Sequence, residues 1–203
     1  QQSLKVAREI GDKQGEATSL GYLGNVYSTL GQYQRAIVFH QQHNKITREI
    51  GDKQGEATSL GNLGNEYHSL GHYQRAIDFY QQYNKIACEI GDKRGEAVSL
   101  GNLGSAYSSL GQYQRAIDFH QQSLEIAREI SDRQGEAIAL FNKAFALAKL
   151  DEGWAARQSL EQARSIFVEL KLNHMIEKCD RAIYNLNQTA VAQPKRAPSL
   201  TDG

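Results

Sequence analysis

The chain has 203 residues, and its 23 acidic and 23 basic side chains leave a formal net charge of zero. That length suits one compact domain or a short solenoid, and a neutral chain gives counterion release little to act on, which excludes nucleic acid as a first partner. Two distant cysteines, Cys88 and Cys179, and no apolar run near the roughly 20 residues that cross a bilayer, point to a cytoplasmic chain without a disulfide framework or membrane span.

Residues 1–10, QQSLKVAREI, match Gln121–Ile130 and read as the end of a preceding repeat. They contain neither a basic stretch nor an apolar stretch of the kind that forms a signal peptide. Residues 11–50 and 51–90 are then identical at 30 of 40 positions, residues 91–130 repeat the pattern, and 131–170 repeat it weakly. Both prolines, Pro194 and Pro198, fall in the last ten residues, so nothing upstream breaks a helix in this way.

Each 40-residue unit divides into two helices. Gly11 ends the preceding helix and Asp12 caps the next, with Glu16 in its first turn, where the helix dipole favours a negative charge. Helix A runs to about Leu30 and Gly31 ends it; helix B runs from about Tyr33 to Ile50. In A, Leu20, Leu23, Tyr27 and Leu30 form one apolar stripe at spacings of three and four, beside Gly24. In B, two stripes adjoin: Ala36, Phe39, His43, Ile46 and Ile50, then Tyr33, Ile37, His40, Asn44 and Thr47. A helix with two contact faces must be sandwiched, so B packs between its own A and the next A, and stacking propagates.

In the fourth unit Lys143, Ala144 and Leu147 replace Leu, Gly and Tyr. Residues 171–186 follow as a capping helix with Met175, Ile176, Cys179, Ala182, Ile183 and Leu186 on its apolar face. Residues 187–203, rich in Gln, Ala, Pro and Ser, read as a disordered tail.

Leu20, Leu23-Gly24, Tyr27 and Ala36, repeated as Leu60, Leu63-Gly64, Tyr67 and Ala76 and as Leu100, Leu103-Gly104, Tyr107 and Ala116, resemble the tetratricopeptide repeat (TPR) signature. The 40-residue period, with LGN-x-Y and E-I-GD, is similar to Pins-type polarity adaptors and to bacterial, notably cyanobacterial, tandem arrays. The resemblance spans residues 1–170. It implies an all-α, right-handed α-solenoid of antiparallel helix pairs whose A helices line a concave groove, and a function in binding proteins.

The helix A positions opposite the core stripe are Thr18, Tyr22, Asn25 and Thr29, then Thr58, Asn62, Asn65 and Ser69, then Val98, Asn102, Ser105 and Ser109, with Asn142 in the fourth unit. A row of asparagines, each both donor and acceptor, suits an extended peptide backbone. Tyr22, Phe141 and Phe145 are candidate apolar anchors, although Phe141 and Phe145 fit packing under the cap better. Gly21, Gly61 and Gly101 stand before the groove residues, and Thr18 and Thr58 stand where Pins-type adaptors place arginine, so neither a carboxylate clamp nor an acidic-peptide site is expected.

No motif for catalysis or for a cofactor is present: there is no phosphate loop, nucleophile elbow or HExxH helix. His40 and His43 have ligand-like spacing, but Tyr80 and Tyr83 replace them in the next unit, which marks packing slots; His68 and His72 are expected on the surface. The expectation is therefore a non-enzymatic scaffold that binds a protein or peptide partner. Alternatives are a peptide-sensing module of a larger bacterial signalling protein and end-to-end self-association through Leu4, Val6, Ala7 and Ile10 of the N-terminal helix.

Overall fold

The computed structural model describes residues 2–192 and, among them, ten α-helices and no strand. In chain order these are α1 (Gln2–Ile10), α2 (Lys13–Thr29), α3 (Tyr33–Glu49), α4 (Lys53–Ser69), α5 (Tyr73–Glu89), α6 (Lys93–Ser109), α7 (Tyr113–Glu129), α8 (Arg133–Lys149), α9 (Gly153–Glu169) and α10 (Asn173–Ala192). Each helix packs on the next, and the pairs stack into an all-α solenoid. The A helices are α2, α4, α6 and α8; the B helices are α3, α5, α7 and α9.

The turns show why the units repeat so regularly. At the end of α1, Gly11 N–H donates to the Arg8 carbonyl and Asp12 N–H to the Ala7 carbonyl, with Gly11 at φ +72°. Asp12 then caps α2, its Oδ1 accepting from Gly15 N–H at 2.9 Å. One residue thus closes one helix and opens the next. Asp52, Asp92 and Asp132 do the same for α4, α6 and α8.

Six junction glycines take this left-handed conformation, but Ser131, Asp151 and Lys171 take it with a side chain, at φ 56°, 59° and 57°. Left-handed backbone costs an L-residue about 1 kcal/mol. Lys171→Gly is therefore expected to raise stability by about 0.5–1 kcal/mol, a gain of a few degrees in melting temperature. An unchanged or lowered melting point would show that the turn is not strained.

The interior forms between layers. Within each of the first three units an A-helix tyrosine stacks on a B-helix phenylalanine: Tyr27 on Phe39, Tyr67 on Phe79 and Tyr107 on Phe119, at 5.2–5.3 Å and nearly parallel. Arg35, Arg75 and Arg115 cover the tyrosine rings. Between units, Arg8 donates to Glu16 (2.7 Å) and Arg128 to Glu136 (2.9 Å), and Arg48 pairs with Glu56 (3.4 Å). Cys88 takes the arginine position at the junction of α5 and α6 and is exposed, not partly buried as its small apolar character suggests; Cys179 is fully buried.

Three expectations change. Leu30 is exposed, as are Leu110 and Leu150 at the same place in later units, so the last position of the stripe lies outside the core. Val26 is likewise 55 % exposed, whereas Glu66 at the same place in α4 is 2 % exposed under α3. His68 is half-buried, its Nε2 3.1 Å from Ser109 Oγ, so it bridges two A helices. Finally, residues 187–192, assigned to the tail, continue α10; Arg157 donates to Asn187 Oδ1 at 3.2 Å and holds this extension against α9. The rest of the tail, 193–203, lies outside the described residues.

The face of the A helices as candidate binding site

Consecutive A helices touch directly, α2 with α4 and α6 with α8, in addition to packing on the B helices between them. Their outward sides therefore form one continuous face. The small residues Gly21, Gly61 and Gly101 keep it low, and a side chain at Gly21 or Gly61 would press on His43 or Tyr83 from the helix behind, at 3.2 and 3.1 Å.

Five of the expected face residues come together. Thr18, Tyr22 and Asn25 of α2 and Thr58 and Asn62 of α4 line one cavity of about 370 Å³. Asn62 Nδ2 donates across the junction to Asn25 Oδ1 at 3.3 Å. This pairing leaves Asn25 Nδ2 as a donor and Asn62 Oδ1 as an acceptor, the complement of a peptide group. The hydroxyls of Thr18 and Thr58 donate back to the carbonyls of Gln14 and Gln54, so only their lone pairs and methyl groups face outward. Asp52 borders the same cavity, but its carboxylate is engaged by Gly55 N–H and by Gln14 Nε2 at 3.3 Å.

Asn65, Asn102, Ser105 and Asn142 are spread along the face rather than gathered. Asn65 is exposed on α4, and its Oδ1 accepts from Tyr80 Oη at 2.8 Å. Ser105 turns its hydroxyl to the Gly101 carbonyl at 3.1 Å. Asn102 and Asn142 are half-buried on α6 and α8.

Tyr80 was missed as a contributor because it belongs to a B helix and is buried. Its ring lies in the notch made by Gly64, where an added Cβ would come within 2.4 Å of Cε1, and its hydroxyl reaches through to Asn65. Burial, then the nearby Glu66, push the Tyr80 hydroxyl well above the ordinary phenol range, so it stays a donor. The same notch holds His40 at Gly24 and His120 at Gly104. Both rings are fully buried and pushed down to about 4, His40 by burial and then His43, His120 by burial alone. They are neutral packing groups, and no cluster of three or more His, Cys, Asp or Glu residues lies together among the described residues.

Asn44 and Asn84, polar where sister units have leucine, tie one unit to the next: they donate to Ser59 Oγ (2.8 Å) and Ser99 Oγ (2.9 Å). The signal was available in the residues, because Leu124 in the third unit meets Ala139 where the others have serine. Phe141 packs into the two C-terminal core clusters as expected of a residue under the cap, but Phe145 is 48 % exposed and borders a cavity of about 330 Å³ between α8, α9 and α10.

Family models described as tetratricopeptide repeat match residues 17–42, 57–87 and 95–167. The chain is a tetratricopeptide repeat protein. Among solved structures, BtubC (BKLC) from P. vanneervenii is similar over 100 % of this chain and 94 % of its own, with TM-score 0.70 and 16 % identity. The apo form of RapI gives TM-score 0.81 at 20 % identity over 86 % of this TPR chain, which spans 64 % of RapI. Aspartyl phosphate phosphatase F from Bacillus subtilis gives 0.77 at 15 % identity, over 88 % of this chain and 51 % of its own. At these identities the likeness is one of fold. No curated protein matches. The TPR fold is generally a non-enzymatic platform for protein interactions, and no helix among the described residues is long and apolar enough to cross a membrane.

Proposed function

We propose that this TPR chain is a non-enzymatic scaffold that binds an extended peptide segment of a partner protein along the A-helix face. The observation that supports it best is the Asn62–Asn25 pair in its cavity, with one donor and one acceptor left over side by side. A net hydrogen bond contributes about 0.5–1.5 kcal/mol, so several along the face are needed for useful affinity. Asn65 and Asn102 continue the row beyond the cavity.

The experiment is selection of binders from a random displayed peptide library. Peptides selected on the wild type should bind Asn25→Ala/Asn62→Ala/Asn65→Ala at least about tenfold more weakly, the loss of about 1.4 kcal/mol or more. Equal affinity for both proteins would remove the asparagine row from the proposal.

A second reading has its own observation. On α1, Val6 and Ile10 are exposed, while Leu4 and Ala7 of the expected patch are buried against α2. Two copies meeting there would bury this apolar edge.

A further inference from the structure

The A-helix face changes chemistry along its length, and the change follows two rows. The row of Thr18 and Thr58 continues as Val98 and Ile138, which are 48 % and 41 % exposed. The row of Asn25, Asn65 and Ser105 continues as Phe145. In these two rows the first two units are polar, the third is mixed (Val98 and Ser105) and the fourth is apolar, while the row between them, Tyr22, Asn62, Asn102 and Asn142, is aromatic first and polar afterwards. Beyond Phe145 the face opens into the cavity of about 330 Å³, whose other walls include Ala144, Leu160, Ala182 and Leu186.

Charge does not accompany either half. Arg94, at the start of α6, pairs with the α8 cap Asp132 at 3.7 Å. The capping carboxylate Asp52 is held by its own helix and by Gln14. At the mouth of the distal cavity Lys149 and Asp151 contribute one charge of each sign. A charged segment laid on α2 and α4 would lose hydration without meeting a free opposite charge there, which disfavours it, whereas at the distal end it would meet Lys149 and Asp151.

We infer that the peptide held by this face is an uncharged one, with small polar residues over the asparagines of α2 and α4 and a bulky apolar side chain, leucine or phenylalanine, in the cavity beside Phe145. This rests on the groove reading above and specifies its ligand. Neighbouring helices lie about 10 Å apart, so the asparagine pair between α2 and α4 and Phe145 on α8 are roughly 25 Å apart. An extended chain covers that distance in roughly eight residues.

The test uses the whole chain and three pools of acetylated, amidated peptides of about twelve residues, long enough to span the face. One pool is built from Gly, Ser, Thr, Asn and Gln with a single Leu or Phe; the others carry Glu or Lys at randomised positions. The neutral pool should be retained, with Leu or Phe favoured roughly eight positions from the polar stretch. Its binding should change less than about twofold between about 0.1 M and about 0.5 M NaCl. Phe145→Ser, which also gives up the edge contact with Phe141 at 4.9 Å, should erase the preference for Leu or Phe while lowering the melting temperature by no more than about 4 °C. Val98→Thr/Ile138→Thr, which copies the first two units, should weaken the neutral pool by about tenfold. Retention of an acidic or basic pool, or an apolar preference that survives Phe145→Ser, overturns the inference. If the asparagine variants lose binding and Phe145→Ser does not alter it, the groove stands and this ligand class falls. If no pool is retained, both fall.

Discussion

Gly64→Ala is expected to cost the protein about 2 kcal/mol or more and to lower its melting temperature by roughly 4–8 °C. The added methyl would sit 2.4 Å from Tyr80 Cε1 and 2.6 Å from Cδ1, well inside any real contact. The ring cannot swing away, because Tyr80 is buried among Leu63, Ala76, Ile77 and their neighbours. Interiors this dense answer overpacking with strain. The fourth unit shows the remedy: there Ala144 replaces the glycine and Leu160 replaces the ring, and both are buried. Gly64→Ala/Tyr80→Leu should therefore recover most of the loss. A single variant that melts within about 1 °C of wild type would mean the notch is not tight.

Acid is the second strong lever. His40 and His120 are neutral in the folded chain, pushed down to about 4 from an ordinary 6.5. Below pH 6.5 the unfolded chain takes up protons that the folded chain refuses, so stability is full above about 6.5 and falls as pH drops towards 4. Each histidine accounts for a loss of up to about 3 kcal/mol at the end of that window. The groups facing His40 are His43, itself pushed down by burial, and Glu66, whose Oε1 is 3.9 Å from Nε2. Glu66 is pushed up by burial, so it works in the opposite sense, favouring the folded state on protonation and offsetting part of the loss. Carboxylates pulled down by arginine, Glu16 by Arg8 most directly, add their loss only at lower pH. Urea denaturation at about pH 7 and about pH 4.5 measures the difference. His120→Leu/Gly104→Ala, which copies the fourth unit's pair, should remove a substantial share of it. A slope unchanged in that variant would contradict the assignment.

The repeat and its helix boundaries were legible because the punctuation is local: a glycine and a capping aspartate stand at the first three junctions between units, and Ser131-Asp132 at the fourth. The outward rows of α2, α4, α6 and α8 were legible for a similar reason, since helical periodicity alone separates them from the core. What periodicity does not give is register between helices. It placed Leu30 on the buried stripe without showing that this last position lies outside the core. It named Gly24 and His40, Gly64 and Tyr80, without pairing them. Those pairs left a trace as correlated changes between units, Gly with a ring and Ala144 with Leu160, and Asn84 with Ser99 against Leu124 with Ala139. Reading such pairs requires comparing units position by position, not scanning one helix at a time. The extension of α10 was obscured by composition: glutamine and alanine resemble a tail but also favour helix where a neighbour such as Arg157 supports them.

Because Tyr80 reaches its asparagine through a gap in the helix that carries it, the proposed binding face is shaped partly from behind. Units one and three have histidine in that slot, His40 and His120; unit one keeps the outer asparagine, Asn25, and unit three has Ser105 there. A freshly copied unit could thus acquire a new selectivity by replacing one hidden amino acid, with every solvent-facing position left intact.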